Sequence, residues 1–175
     1  MAAAARGVSG ISETGEKGEY GDHVTCLEPL MFTPSLHLLR IPEECPENVS
    51  KEFHEAFKLY WCDRAGGMNH IRKAVELIMD HLKIPRTIKT ERNTFHRLDL
   101  HGRINQFRPQ NPVLADRLEA VKWLGNVGSH SSEVSHDAFF NACDLLEDFI
   151  HTHFEKRGDK IVALAKKVIK RKGRE

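Results

Sequence analysis

Apolar positions recur at a spacing near 3.6 residues through most of the chain, the pattern of helices that each bury one face. After Pro46, residues Phe53, Ala56, Phe57, Tyr60 and Trp61 fall at that spacing and predict a first helix ending near Asp63, with Asn48 or Ser50 as its cap. The clearest stripe is Met68, Ile71, Ala74, Val75, Ile78, Met79 and Leu82, a second helix that Pro85 must close. Arg72 and Glu76 stand on its opposite edge at i and i+4, where they can pair. A third helix is expected over 94–107 with Leu100, Ile104 and Phe107 on one face, although Gly102 costs it about 1 kcal/mol relative to alanine.

Asn111 followed by Pro112 is a capping side chain and then a first-turn proline, so a fourth helix should carry Leu114, Leu118, Val121, Leu124 and Val127. Beyond the polar stretch 129–134, Ser135 can cap a fifth. Phe139, Ala142, Leu145, Leu146, Phe149 and Ile150 then face inward, and His151 and His153 fall in its last turn. From Asp159 to about Lys172, Ile161, Leu164, Val168 and Ile169 oppose a run of cations, which predicts an amphipathic end helix.

The N-terminal part reads differently. Residues 1–20 hold almost no large apolar side chain, so ordering them would cost chain entropy with little burial in return, and a disordered leader is expected. Pro29, Pro34, Pro42 and Pro46 make 21–46 an irregular strap, with a short helical turn near Ser35 to Leu39. No stretch alternates with period two, and no Asn-Gly or Asp-Gly hairpin signal separates apolar runs. The expected fold is therefore all-α: a bundle of five to six antiparallel helices with its body over 47–157, followed by a basic amphipathic helix or tail over 158–175.

Length and charge narrow the function classes. A chain of 175 residues supports one core plus tails. With 26 Lys and Arg against 25 Asp and Glu there is no global basic field, so nucleic-acid contact must be local. The local imbalance lies at the end: residues 155–175 hold nine cations and three acids, which leaves the rest net acidic. Lys166, Lys167, Lys170, Arg171 and Lys172 are the candidates to meet RNA or an acidic partner, against the plainer reading of a solvated tail. No apolar run is long enough to span a bilayer, so no membrane partner and a cytoplasmic location are expected.

The four cysteines lack CxxC spacing and should be reduced and mostly packing residues. His23 and Cys26 form a single HxxC pair, short of the four ligands a structural zinc needs, and no metal is expected. P-loop, GxGxxG, GxSxG and HExxH motifs are absent, so no cofactor is expected either.

One stretch is chemically odd for a helix. In Lys122-Trp123-Leu124-Gly125-Asn126-Val127-Gly128-Ser129-His130, two glycines and an asparagine stand where better helix formers would serve. Either another element approaches closely over the glycines, or Asn126 and His130, at i and i+4, face a polar pocket. The plain alternative is that the glycines end the helix there and His130 bonds a loop carbonyl or caps a terminus.

That stretch, together with Ile41-Pro42, Cys45-Pro46, His54-Glu55-Ala56, Ile71-Arg72-Lys73-Ala74-Val75-Glu76 and Leu100-His101-Gly102-Arg103-Ile104, resembles the domain-of-unknown-function family 4145 over about residues 20–152. That family is similar to the HEPN superfamily of helical bundles in bacterial defence, toxin and RNA-processing systems. The resemblance implies a HEPN-like bundle, frequent dimerisation and, in active members, a metal-independent ribonuclease site with an Arg, a polar residue and a His. Asn126 and His130 match the polar residue and the His, but Gly125 occupies the position of the adjacent Arg and lacks a fixed cation for a scissile phosphate. Lys122 or Arg72 could supply one. Three expectations follow. The first is a binding or accessory module that dimerises or docks a protein partner and contacts RNA. The second is a metal-independent endoribonuclease using His130 and Asn126. The third is a purely structural interaction protein.

Overall fold

The structure, a computed structural model, describes residues 30–89, 93–130 and 134–172, with the side chains of 127–130 and 157 outside the description. The leader over 1–20, the first part of the strap and the His23/Cys26 pair lie outside the described residues.

Among the described residues six α-helices follow one another: α1 (Glu47–Leu59), α2 (Arg64–His81), α3 (Leu100–Phe107), α4 (Pro112–His130), α5 (His136–Ile150) and α6 (Arg157–Lys170). Short polar side chains start four of them. Asp63 accepts from the Gly66 amide at 2.8 Å, Asp99 from Gly102 at 2.7 Å, Asn111 from Leu114 at 3.0 Å and Ser135 from Ala138 at 3.1 Å. Each satisfies an amide that the helix ladder leaves open, worth about 1 kcal/mol per cap. Helix α1 departs from expectation: Pro46 precedes it without a side-chain cap, because the Asn48 side chain bonds its neighbour's amide and His81 instead.

Helix α2 is the axis of the bundle, with α1 and α4 packed against it, while α4 also carries α3 and α5. The apolar stripes read from the sequence meet in one core that includes Phe53, Phe57, Met68, Ile71, Ile78, Leu118, Phe139 and Leu146, all without exposed surface or nearly so. Gly67 belongs to this contact: a Cβ there would stand 3.0 Å from both the Ala56 carbonyl oxygen and the Phe139 ring, so its lack of a side chain lets α1, α2 and α5 close.

Three expectations change. The fold is mostly helical rather than all-α, because Thr87–Lys89 (β1) and Phe95–Arg97 (β2) pair antiparallel, Ile88 opposite His96, where the third helix was expected to begin. Five of the six strand side chains are exposed and only Ile88 is half-buried, so the hairpin had no buried face to leave an alternating apolar pattern. The strap over 30–46 has no helical turn near Ser35 to Leu39; it runs as bends that bury Leu39 and Cys45 against the bundle. After α5, His151–Glu155 forms a π-helical turn, in which His153 stacks on Phe149 at 5.7 Å and His151 bonds Glu155 and Arg40. The two histidines therefore lie in this π-helical turn rather than in the last turn of α5.

Candidate functional site

Helices α2, α3 and α4, with the hairpin strand β2, enclose an open cleft of about 450 Å³. Helix α2 contributes Arg72 and Glu76, the turn before β1 contributes Arg86, and β2 contributes Arg97. The start of α3 brings Asp99, His101 and Arg103, and α4 brings Lys122 and Asn126. Five cations thus stand against two acids.

The floor is Arg103, which is 3% exposed. Its guanidinium donates to the Asp80 carboxylate at 2.7 Å, to the Ile84 carbonyl at 2.9 Å and to the Glu76 carbonyl at 3.2 Å. A buried charge needs such partners, and these three tie α3 to the C-terminal end of α2. Asp80 also accepts from Arg86 at 3.0 Å. Hydrogen bonding to Arg86 is the larger cause, and Arg103 adds to it, so the Asp80 carboxyl lies below the usual range although partial burial opposes the shift. Arg103 and Arg86 are therefore framework cations whose charge Asp80 partly absorbs.

Neither Arg97 nor Lys122 makes an ion pair among the described residues, and the Lys122 ammonium sits 3.8 Å above the Trp123 ring. The Arg72 stem packs on α4. A Cβ added at Gly125 would lie 2.7 Å from the Arg72 Cδ and 2.8 Å from its Cγ, so the Arg72 stem crosses α4 over that glycine. This accounts for one of the two odd glycines: Gly125 does not end the helix, and α4 continues through His130. His101 closes the far wall, its Nε2 3.2 Å from the Asn105 amide and its Nδ1 3.6 Å from Glu119, with Nδ1 otherwise unpartnered.

Arg72, Glu76, Lys122 and Asn126, singled out in the sequence, all line this one cleft. The backbone at His130 lies one turn beyond Asn126 on α4, and its side chain lies outside the described residues. Lys166, Lys167, Lys170, Arg171 and Lys172 do not reach the cleft; they are exposed on or just after α6. Sequence reading missed Arg86, Arg97, His101 and Arg103. A signal existed for one: Arg103 falls on the same stripe as Leu100, Ile104 and Phe107, and a charge on an inward face must be paired. Arg86 and Arg97 flank a hairpin with no periodicity to mark it.

Such an arrangement attracts anions: fixed guanidiniums match the paired oxygens of a phosphate, and Asn126 adds a neutral donor. No cluster of three or more metal-ligating side chains occurs among the described residues. The family model for the domain of unknown function DUF4145 matches residues 54–173. The chain belongs to that family. The DUF4145 match starts within α1 and runs past α6, so it takes in the whole cleft as well as the basic end helix. No curated protein and no solved structure matches the chain.

Proposed function

We propose that this DUF4145 chain is a HEPN-like binding module that holds RNA by its phosphodiester backbone in the α2–α3–α4 cleft, as an accessory to a protein partner. One observation carries the reading: Arg97 and Lys122, neither in an ion pair among the described residues, share the cleft with Asn126 over a floor whose own charges, Arg86 and Arg103, are tied to Asp80. Among the described residues His101 is the only ring that lines the cleft, so the described wall offers no aromatic platform for stacking bases. Recognition is then of the backbone and little dependent on sequence. The cations of α6 add a second, less structured phosphate contact.

Fluorescence anisotropy with a labelled single-stranded RNA tests this. The intact chain should bind at 50 mM salt and weaken as salt rises. The double replacement Arg97→Gln, Lys122→Gln should lower affinity about tenfold and flatten the salt dependence by about 1.4 in slope, the value for two lost phosphate contacts on a single strand. Undetectable binding at low salt, or a double variant that binds like the wild type, would reject the proposal.

A second reading, the metal-independent endoribonuclease, is favoured by the Arg72 geometry. The stem packed over Gly125 brings a guanidinium from α2 to the neighbourhood of Asn126, where the family pattern has an arginine on the helix itself. In that reading His130 is the general acid or base. Cleavage of RNA in EDTA, lost in both His130→Ala and Asn126→Ala, is its expected result. RNA left intact by a wild-type chain that binds it removes the nuclease and leaves the binding module.

A further inference from the structure

His101 differs from the other side chains of the cleft in having one nitrogen buried and unused. Its ring is half-buried in the wall, and the Nδ1 atom is closed off from water without a hydrogen bond. Helix geometry explains how the ring is held. His101 is the second residue of α3 and Asn105 follows four positions later, so both side chains rise from one face. The Asn105 amide nitrogen, 3.2 Å from Nε2, can only donate, so Nε2 accepts and the proton of the neutral ring lies on Nδ1. That Nδ1 looks toward the Glu119 carboxylate of α4 at 3.6 Å, just beyond hydrogen-bond reach. Glu119 is already held by Arg108 and, at 3.4 Å, by the Trp123 indole N–H. The other nitrogen is covered only by Asn105, an exposed side chain whose amide can turn away.

The charges around the ring decide what a second ring proton would do. Helix α4 sets Glu119 and Lys122 beside it, and α3 itself brings Asp99 and Arg103. Across the cleft stand Arg72 and Glu76 of α2, with Arg86 and Arg97 from the hairpin side. Asp99 caps α3 through the Gly102 amide, while Arg86 and Arg103 bond Asp80. Glu119 is thus the carboxylate placed to face an imidazolium Nδ1–H, and the cationic cleft calls for an anion on the Nε2 side.

We propose that His101 is a proton-dependent phosphate contact: with both nitrogens protonated, Nδ1–H faces Glu119 and Nε2–H, released from Asn105, donates to a phosphodiester oxygen of RNA. The inference rests on the RNA-binding reading of the cleft and adds its regulation by pH. Protonation turns Nε2 from an acceptor, which repels a phosphate oxygen, into a charged donor that holds one. Proton and phosphate then favour each other by the same factor, as linkage requires. Histidine is the side chain that ordinarily changes charge between about pH 5 and 8, so the cleft should tighten on RNA across that range as pH falls.

Fluorescence anisotropy of the full chain with the labelled single-stranded RNA, at about pH 8 and about pH 5.5, tests this, with circular dichroism as the check on folding. Wild-type affinity should rise at least about fivefold at the lower pH, and the salt dependence should steepen by about 0.7 in slope, the value for one further phosphate contact on a single strand. His101→Gln, neutral throughout, should bring the ratio of the two affinities to about one. His101→Lys, charged throughout, should do the same from the other side, by binding at the higher pH about as tightly as the wild type does at the lower. RNA bound equally at both pH values by the wild type overturns the inference and leaves the binding module standing. Folded variants that both keep the wild-type ratio overturn it as well, since another imidazole then carries the effect. No RNA bound at either pH removes the binding reading and this inference with it.

Discussion

The cleft and helix α6 are both rich in cations, yet they are built in opposite ways. In the cleft, charges rest on a buried frame: Arg103 is held by Asp80 and two carbonyls, and Arg72 is laid over a glycine. On α6 the cations stand on a helix that, among the described residues, packs on no element besides the π-helical turn, with the Lys160–Glu44 pair as its tie to the strap. Fixed charges select a geometry, while charges on an uncovered helix contribute a field and little else. The cleft should therefore govern stability together with binding, and the α6 cations should govern binding at low salt alone.

The sharpest way to break that contrast is Arg103→Leu. Removing a buried cation takes the guanidinium donor from the Ile84 carbonyl and the Asp80 carboxylate and the second donor from the Glu76 carbonyl, at a cost of about 3 kcal/mol, the low end for a buried pair because Asp80 keeps Arg86. Urea denaturation measures it. Arg103→Lys should restore little of the loss, since an ammonium does not reproduce the fork that reaches three acceptors.

Gly125→Leu comes next. Its side chain must displace the Arg72 stem, costing about 1–3 kcal/mol from overpacking, and anisotropy should show weakened RNA binding in the same variant. A Gly125→Leu chain as stable as the wild type would mean that α2 and α4 do not need the close approach.

Asp80 sharpens the comparison through pH. Its carboxyl is held below the ordinary range, first by Arg86 and also by Arg103, so the stabilisation is present above the unfolded value near about 3.9 and is lost as pH falls through the folded value. Asp80→Asn should cost about 1–2 kcal/mol at pH 7. The gap between wild type and variant should narrow as pH drops below about 4, read from urea midpoints across that range. The smallest effect is expected on α6, where Lys166→Gln, Lys167→Gln and Lys170→Gln together should move stability by less than about 0.5 kcal/mol while lowering RNA affinity at low salt.

Helical periodicity disclosed α1, α2, α4 and α5 because each buries a stripe in the common core, and Asn111 and Ser135 marked their helix starts through local hydrogen bonding. The hairpin was illegible for the same reason in reverse: its side chains point mostly to water, so no pattern constrains them. The odd composition at Gly125 and Asn126 could be noticed along the chain, but the element that needed the glycine could not be named there. Arg72 is 53 positions earlier, and only the packing of α2 on α4 brings it over Gly125.

Local chemistry and one-dimensional spacing determined where the main helices run, which faces they bury and that the C-terminal end is basic and amphipathic. The tertiary fold decided which charges share a cleft, which of them are committed to the frame, and which apolar faces remain uncovered. Spacing along a helix reports the face a residue occupies, whereas contact between elements depends on crossing geometry and on side chains far apart in the chain.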